Sequence, residues 1–164
     1  VVIVYNAIIL FRDMKSLKIF SLAMLLVVAL VGCDKNNDGP AGGGDNGLLA
    51  GEWKLAMWNE AEPEFNVYID FNADGTFEMY QQVWSFDYEC FTGNYTITGD
   101  IVTGTYADGS NWLCGYKFEK SGDTLTLYSQ EDQSVTSLYE KCEIPVEIKA
   151  EATATRSSEV VPFL

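Results

Sequence analysis

Between Leu48 and Cys142, apolar and polar residues alternate with a period of two, in short runs separated by Gly, Asp and Asn. Successive side chains on a strand point to opposite faces, so this period predicts half-buried strands and leaves little room for helices. Trp53, Leu55 and Met57 share a face of the first run, Val67, Ile69 and Phe71 of the second, and Phe77, Met79 and Val83 of the third. Tyr95 and Ile97 mark a fourth strand, and Ile101 to Tyr106 a fifth. Trp112, Cys114, Tyr116 and Phe118 line a sixth, Leu125 and Leu127 mark a seventh, and Val135 to Cys142 closes a series of eight.

The connections sort by parity. In an up-and-down order, Ala73-Asp74-Gly75, Thr98-Gly99-Asp100 and Ser121-Gly122-Asp123 fall at one end, all short and rich in turn residues. At the other end fall Asn59 to Phe65, Ser85 to Cys90, Ala107 to Asn111 and Ser129 to Gln133, which carry carboxylates and no Lys or Arg. Closing such a meander removes its edge strands, so the pattern predicts an all-β, eight-stranded antiparallel up-and-down barrel with one tight end and one mouth. A flattened sandwich is the alternative.

One stretch offers different chemistry. Asp70, Asn72, Asp74 and Gly75 have the spacing with which calcium loops of the EF type begin. The final ligand position is Gln81 rather than Glu, and both flanks alternate as strands, so the expectation is a hairpin turn and no metal site. Asp34, Asn36, Asp38 and Gly39 repeat the spacing in a Gly- and Asn-rich segment, which shows how readily it arises.

Composition narrows the function. With 24 acidic and 10 basic residues the chain carries a formal charge of −14, which disfavours nucleic acid as a partner. It has no His, which removes imidazole bases, Ser-His and Cys-His nucleophile pairs and His-ligated metals. No motif calls for a cofactor. Acidic pairs of the glycosidase kind could be drawn from Glu60, Glu62, Glu64, Asp87, Glu89, Glu131 and Asp132, but these lie in connections, and the expectation is a protein that is not an enzyme.

The N-terminal region reads differently. From Met14, Lys15 and Lys18 form a basic segment, Ile19 to Val31 an apolar one, and Leu30-Val31-Gly32-Cys33 resembles the lipobox of bacterial lipoproteins. That resemblance implies lipid transfer to Cys33, cleavage before it, and a membrane partner through the anchor. The expected organisation is a start-site artefact over 1–13, a lipoprotein signal peptide over 14–32, the lipidated Cys and a flexible tether over 33–47, a barrel over 48–149 and a disordered tail over 150–164. Ile144, Val146 and Ile148 alternate around Pro145, suggesting a short edge segment. The expected location is the cell envelope, on the outer membrane, facing the periplasm or the exterior.

Gly51-Glu52-Trp53, YIDFNADGTFEMY, GNYTITGD and YKFEKSGDTLTLYSQ resemble the small lipocalin-like lipoproteins of Bacteroidetes, over roughly Leu48 to Lys141. The resemblance implies a lipocalin-like barrel with Trp53 as the floor of its tight end. Met57, Val67, Ile69, Met79, Gln81, Tyr95, Cys114, Tyr116 and Leu125 are the candidates for inward, ligand-lining positions. Gln81 is the informative one, because a buried amide must find hydrogen-bond partners. By parity Cys90 and Cys114 lie near the same end, making them the candidate disulfide. The expected activity is binding of a small, partly apolar, neutral or cationic molecule. A solid-cored structural or interaction module is the alternative; protein partners are not indicated.

Overall fold

The structure, a computed structural model, describes residues 45–164. The signal peptide, Cys33 and nearly all of the expected tether lie outside the described residues. After one 3-10 turn at Asn46–Leu48 come β1 (Gly51–Trp58), β2 (Asn66–Phe71), β3 (Thr76–Gln82), β4 (Glu89–Thr98), β5 (Ile101–Tyr106), β6 (Tyr116–Ser121), β7 (Thr124–Ser129) and β8 (Thr136–Lys141). Each pairs antiparallel with its sequence neighbour, and β1 pairs with β8, so the sheet closes as an eight-stranded barrel rather than a sandwich.

The tight end has the turns that its residues demand. Asp74 Oδ1 accepts from Thr76 N (2.9 Å) and Thr76 Oγ1 (2.7 Å), while Gly75 sits at φ +88°. A Cβ on Gly75 would also stand 2.6 Å from Asn46 Nδ2, so both backbone and space require glycine. The calcium-like spacing is therefore a hairpin between β2 and β3, with its carboxylate spent on Thr76.

The barrel interior is packed along most of its length. Trp53, Leu55, Val67, Ile69, Phe71, Phe77, Met79, Phe91, Tyr95, Ile97, Leu125, Leu127 and Tyr139 are buried in one cluster. Trp112 joins them from the β5–β6 connection, its main-chain N–H donating to Gly104 O at 2.9 Å. Its indole lies where a Cβ on Gly104 would be, 2.1 Å from the ring, so this glycine is the seat of the tryptophan. The sixth strand begins only at Tyr116; before it Trp112 turns inward while Leu113 is exposed.

The residues after β8 differ most from expectation. Ile144 is buried, and α1 (Val146–Glu151) packs Ile148 beside Tyr68 and Tyr80 on the outside of the barrel, where an edge segment was expected. Lys149 fixes α1 by bridging Glu52 (2.7 Å) and Asp70 (3.4 Å), cross-strand neighbours on β1 and β2. The two carboxyls respond oppositely. Burial pushes Glu52 up, but the Lys149 ammonium and the Ile144 N–H outweigh it and leave it below its usual range. For Asp70, burial wins over the more distant lysine and leaves it raised.

Beyond α1, β9 (Thr153–Ala154) pairs parallel with Glu89 and Cys90 of β4, an edge that the β5 ladder, starting at Gly93, leaves uncovered. The chain then turns into the mouth and buries Leu164 in the barrel core. The tail expected to be disordered is thus an ordered part of the barrel, because its apolar residues cover surface that the strands alone leave exposed.

Candidate functional site

At the tight end the polar groups of Trp53, Tyr95 and Lys120 are used internally. Trp53 Nε1 donates to Leu49 O at 2.9 Å, and Lys120 Nζ stands 5.3 Å from the Trp53 ring while donating to Leu48 O at 2.8 Å. Tyr95 shares its hydroxyl proton between Asn46 O (2.8 Å) and Asn72 O (2.7 Å), and burial, with the charge of Asp74, pushes this phenol up to about 12. Trp53 is buried at the tight end, and Lys120, which no pattern in the sequence singled out, is its cationic partner.

The other end opens into an apolar cleft of about 540 Å³. Trp58, Phe65, Trp84, Leu113, Tyr116 and Phe163 provide its aromatic and aliphatic walls. Trp58, Phe65 and Phe163 form a cluster, with ring centroids 5.5, 6.0 and 5.8 Å apart. Ser129 and Ser137 add hydroxyls, and Glu131 and Asp132 stand on the rim. Burial and the neighbouring Cys114 thiol raise the Tyr116 phenol well above its ordinary range, with Glu131 adding to the effect, so it is a neutral hydrogen-bonding group. A cleft of this size, apolar with a few convergent polar groups, suits one small molecule.

Placement of the sequence candidates is uneven. Val67, Ile69, Met79 and Leu125 point inward but are packed core, without surface on the cleft. Tyr95 belongs to the tight end, and of the nine candidates Tyr116 is the one that lines the cleft. Met57 is exposed rather than inward. The ladder with β8 shifts between Leu55 and Met57, where a bulge at Ala56 flips the alternation and turns Trp58 toward the mouth instead.

Gln81 is wholly buried, and its partners come from the tail and β4. Nε2 donates to Glu89 Oε2 (3.1 Å) and Val161 O (3.1 Å), and Oε1 accepts from Phe163 N (2.8 Å). Cys90, Cys114 and Cys142 are free. The expected Cys90–Cys114 bond fails on strand parity: Phe91, Tyr95 and Ile97 face inward, so Cys90 faces outward with Tyr68 and Tyr80, while Cys114 packs on the interior with its Sγ 3.3 Å from Ser129 Oγ. Cys90 is pushed up to about 11, chiefly by burial.

The acidic rim is also more engaged than its sequence suggests. Asp108 accepts from Ser110 and, across the mouth, from Ser157 N (3.0 Å) and Oγ (2.6 Å), which holds its carboxyl below the usual range. Asp132 accepts from Ser134. The tail also brings Arg156 beside Asp108, so the mouth is not without a basic residue.

An antiparallel barrel packed at one end and open into an apolar cleft at the other belongs to the class that can hold a single small guest. Residues 49–127 match the model of the lipocalin-like domain family, and the barrel has a lipocalin-like fold. The match ends within β7, so β8 and the tail lie beyond it. The chain is similar to a lipocalin-like protein from Bacteroides uniformis, at 20% identity over 57% of this chain and 98% of that one, with a TM-score of 0.46. It is similar also to an uncharacterized protein from Bacteroides eggerthii, at 17% identity over 57% and 98%, with a TM-score of 0.45. No curated protein is significantly similar to it in sequence.

Proposed function

We propose that this protein is a noncatalytic binding protein of the cell envelope, anchored through lipid on Cys33, that takes a small, partly apolar, neutral or cationic molecule at the barrel mouth. The observation that carries the reading is the 540 Å³ cleft, with Trp58, Phe65 and Trp84 on its walls and Glu131 and Asp132 on its rim. Carboxylates beside a low-dielectric opening repel anionic guests, and exposed charges of one sign add where they share that opening. The lipobox-like Leu30-Val31-Gly32-Cys33 supports the anchor. The packed lower barrel favours a second reading, an interaction module whose mouth binds a protein side chain rather than a free molecule.

The test is native mass spectrometry of the untagged domain for copurifying molecules, followed by competition among a matched amine, alcohol and carboxylate series at two salt concentrations. The expected order places the carboxylate last, with the gap narrowing as salt rises. A carboxylate bound best at both concentrations contradicts the ligand class; no binding of any member favours the interaction module.

A further inference from the structure

The side-chain polar groups of the apolar cleft are nearly all able to accept a hydrogen bond. Its lining offers hydroxyls from Tyr116, Ser129 and Ser137 and carboxylates from Glu131 and Asp132, and it contains no Lys or Arg. Arg156 stands in the separate small pocket beside Asp108. Two indoles supply the nitrogen donors, and that of Trp84 is already given to Val161 O at 2.9 Å.

Strand register brings the acceptors together at the mouth ends of β6, β7 and β8. Tyr116 is the cross-strand partner of Ser129, Ser137 pairs with Leu127 one inward position deeper on β7, and all three side chains are buried on the interior side. Ser129 is used: its Oγ accepts from the N–H groups of Glu131 and Asp132, both at 3.2 Å, and so fixes the loop that carries the carboxylates. Asp132 is used as well, accepting from Ser134 N at 3.0 Å and Oγ at 2.6 Å. Three groups are left over. Tyr116 and Ser137 are only 7% and 6% exposed, yet neither hydroxyl closes a hydrogen bond within the described residues, and both lie on the cleft wall. Buried hydroxyls are ordinarily paired, so two unpaired ones on one wall point to a missing partner. The Glu131 carboxylate, on the same lining, has no ion pair among the described residues. An apolar surface begins immediately beside them, for Trp58 is the cross-strand partner of Ser137 and packs edge-on against Phe65 and Phe163.

We propose that the cleft seats a primary amine on an apolar body, its ammonium hydrogen-bonded to Glu131 and to the hydroxyls of Tyr116 and Ser137, its body against Trp58, Phe65 and Phe163. This rests on the mouth reading above and narrows it from a neutral or cationic guest to a cationic hydrogen-bond donor. A primary ammonium has three N–H donors, and the seat has three acceptors unspent. Glu131 supplies the countercharge that an ammonium leaving water needs, and the hydroxyls take the remaining donors. A quaternary ammonium brings the charge without the donors; a ketone brings neither.

The experiment uses the full chain and three probes: 2-(2-naphthyl)ethylamine, its N,N,N-trimethyl salt and 2-acetylnaphthalene, a neutral ketone. Calorimetric titration at neutral pH should rank the primary amine first. Glu131→Gln should weaken the amine about 3- to 10-fold and Ser137→Ala about 2- to 5-fold, the range of one hydrogen bond each, with the ketone changed by neither. Glu147→Gln removes the same charge from α1, outside the barrel, and should leave the amine's affinity as it was. A trimethyl salt that binds as tightly as the amine, or a Glu131→Gln loss no larger than that of Glu147→Gln, would mean that the acidic field alone selects the guest. Either result would overturn the amine seat, while binding of the ketone would keep the mouth reading standing. Failure of all three probes to bind the wild-type chain would overturn the mouth reading as well.

Discussion

The two ends of the barrel are built from similar residues by different means. At the tight end Trp53, Tyr95 and Asp74 find their partners within neighbouring turns and strands, and the packing behind them is continuous. At the mouth Gln81, Trp84, Tyr106 and Asp108 find theirs in a segment about 50 to 80 residues away along the chain. The contrast separates local from long-range closure: one end is closed by what the barrel must do to fold, the other by contacts with the distant tail.

The sharpest way to break the contrast is at the tight end. Trp53→Ala removes the largest buried side chain of the tight end and should cost about 3–5 kcal/mol in denaturant unfolding. Gly104→Ala comes next, with about 1–3 kcal/mol expected from displacing Trp112. A loss below a few tenths for either would mean that the interior repacks freely, and the distinction between a packed and an open end would fall.

Effects at the mouth should be local. Gln81→Leu leaves Val161 O and Phe163 N without that amide and should weaken the tail's hold by about 1–2 kcal/mol, read as faster exchange of residues 160–164 with strand amides unchanged. The smallest effect concerns Asp108. Its pKa is lowered in the folded protein, so its contribution is fully present above the ordinary Asp value of about 3.9 and is lost as pH falls through the depressed folded value. The wild-type Ser157 contact should therefore still be intact at about pH 4, the ordinary carboxylate range, and be lost only below it. Asp108→Asn should loosen it at neutral pH, with faster exchange at Ser157 and no measurable shift of the global unfolding midpoint.

These differences also explain which features could be read from the chain. Alternation and turn chemistry are local, so the eight strands and the hairpin at Asp74-Gly75 were legible. A bulge is invisible to a strict period of two, which is why Met57 was expected inside and Trp58 was overlooked. Parity along β4 could have placed Cys90 outside, since Tyr95 and Ile97 already marked the inward face. The tail has no period because it forms neither a long helix nor a ladder of any length. Its partners are side chains scattered over β3, β5 and two loops, and the one advance signal was Gln81, an amide on an apolar face that needed partners.

The central claim is that ligand binding belongs to the mouth and leaves the packed end untouched. The chain's four tryptophans make this directly measurable, for Trp58 and Trp84 line the cleft while Trp53 and Trp112 are buried in the core. In a nitrogen-15 correlation spectrum titrated with 2-acetylnaphthalene, the indole signals of Trp58 and Trp84 should shift together and saturably while that of Trp53 stays fixed. A shift of Trp53 with Trp58 and Trp84 unmoved would place the guest among Ile69, Met79 and Leu125 and contradict the account.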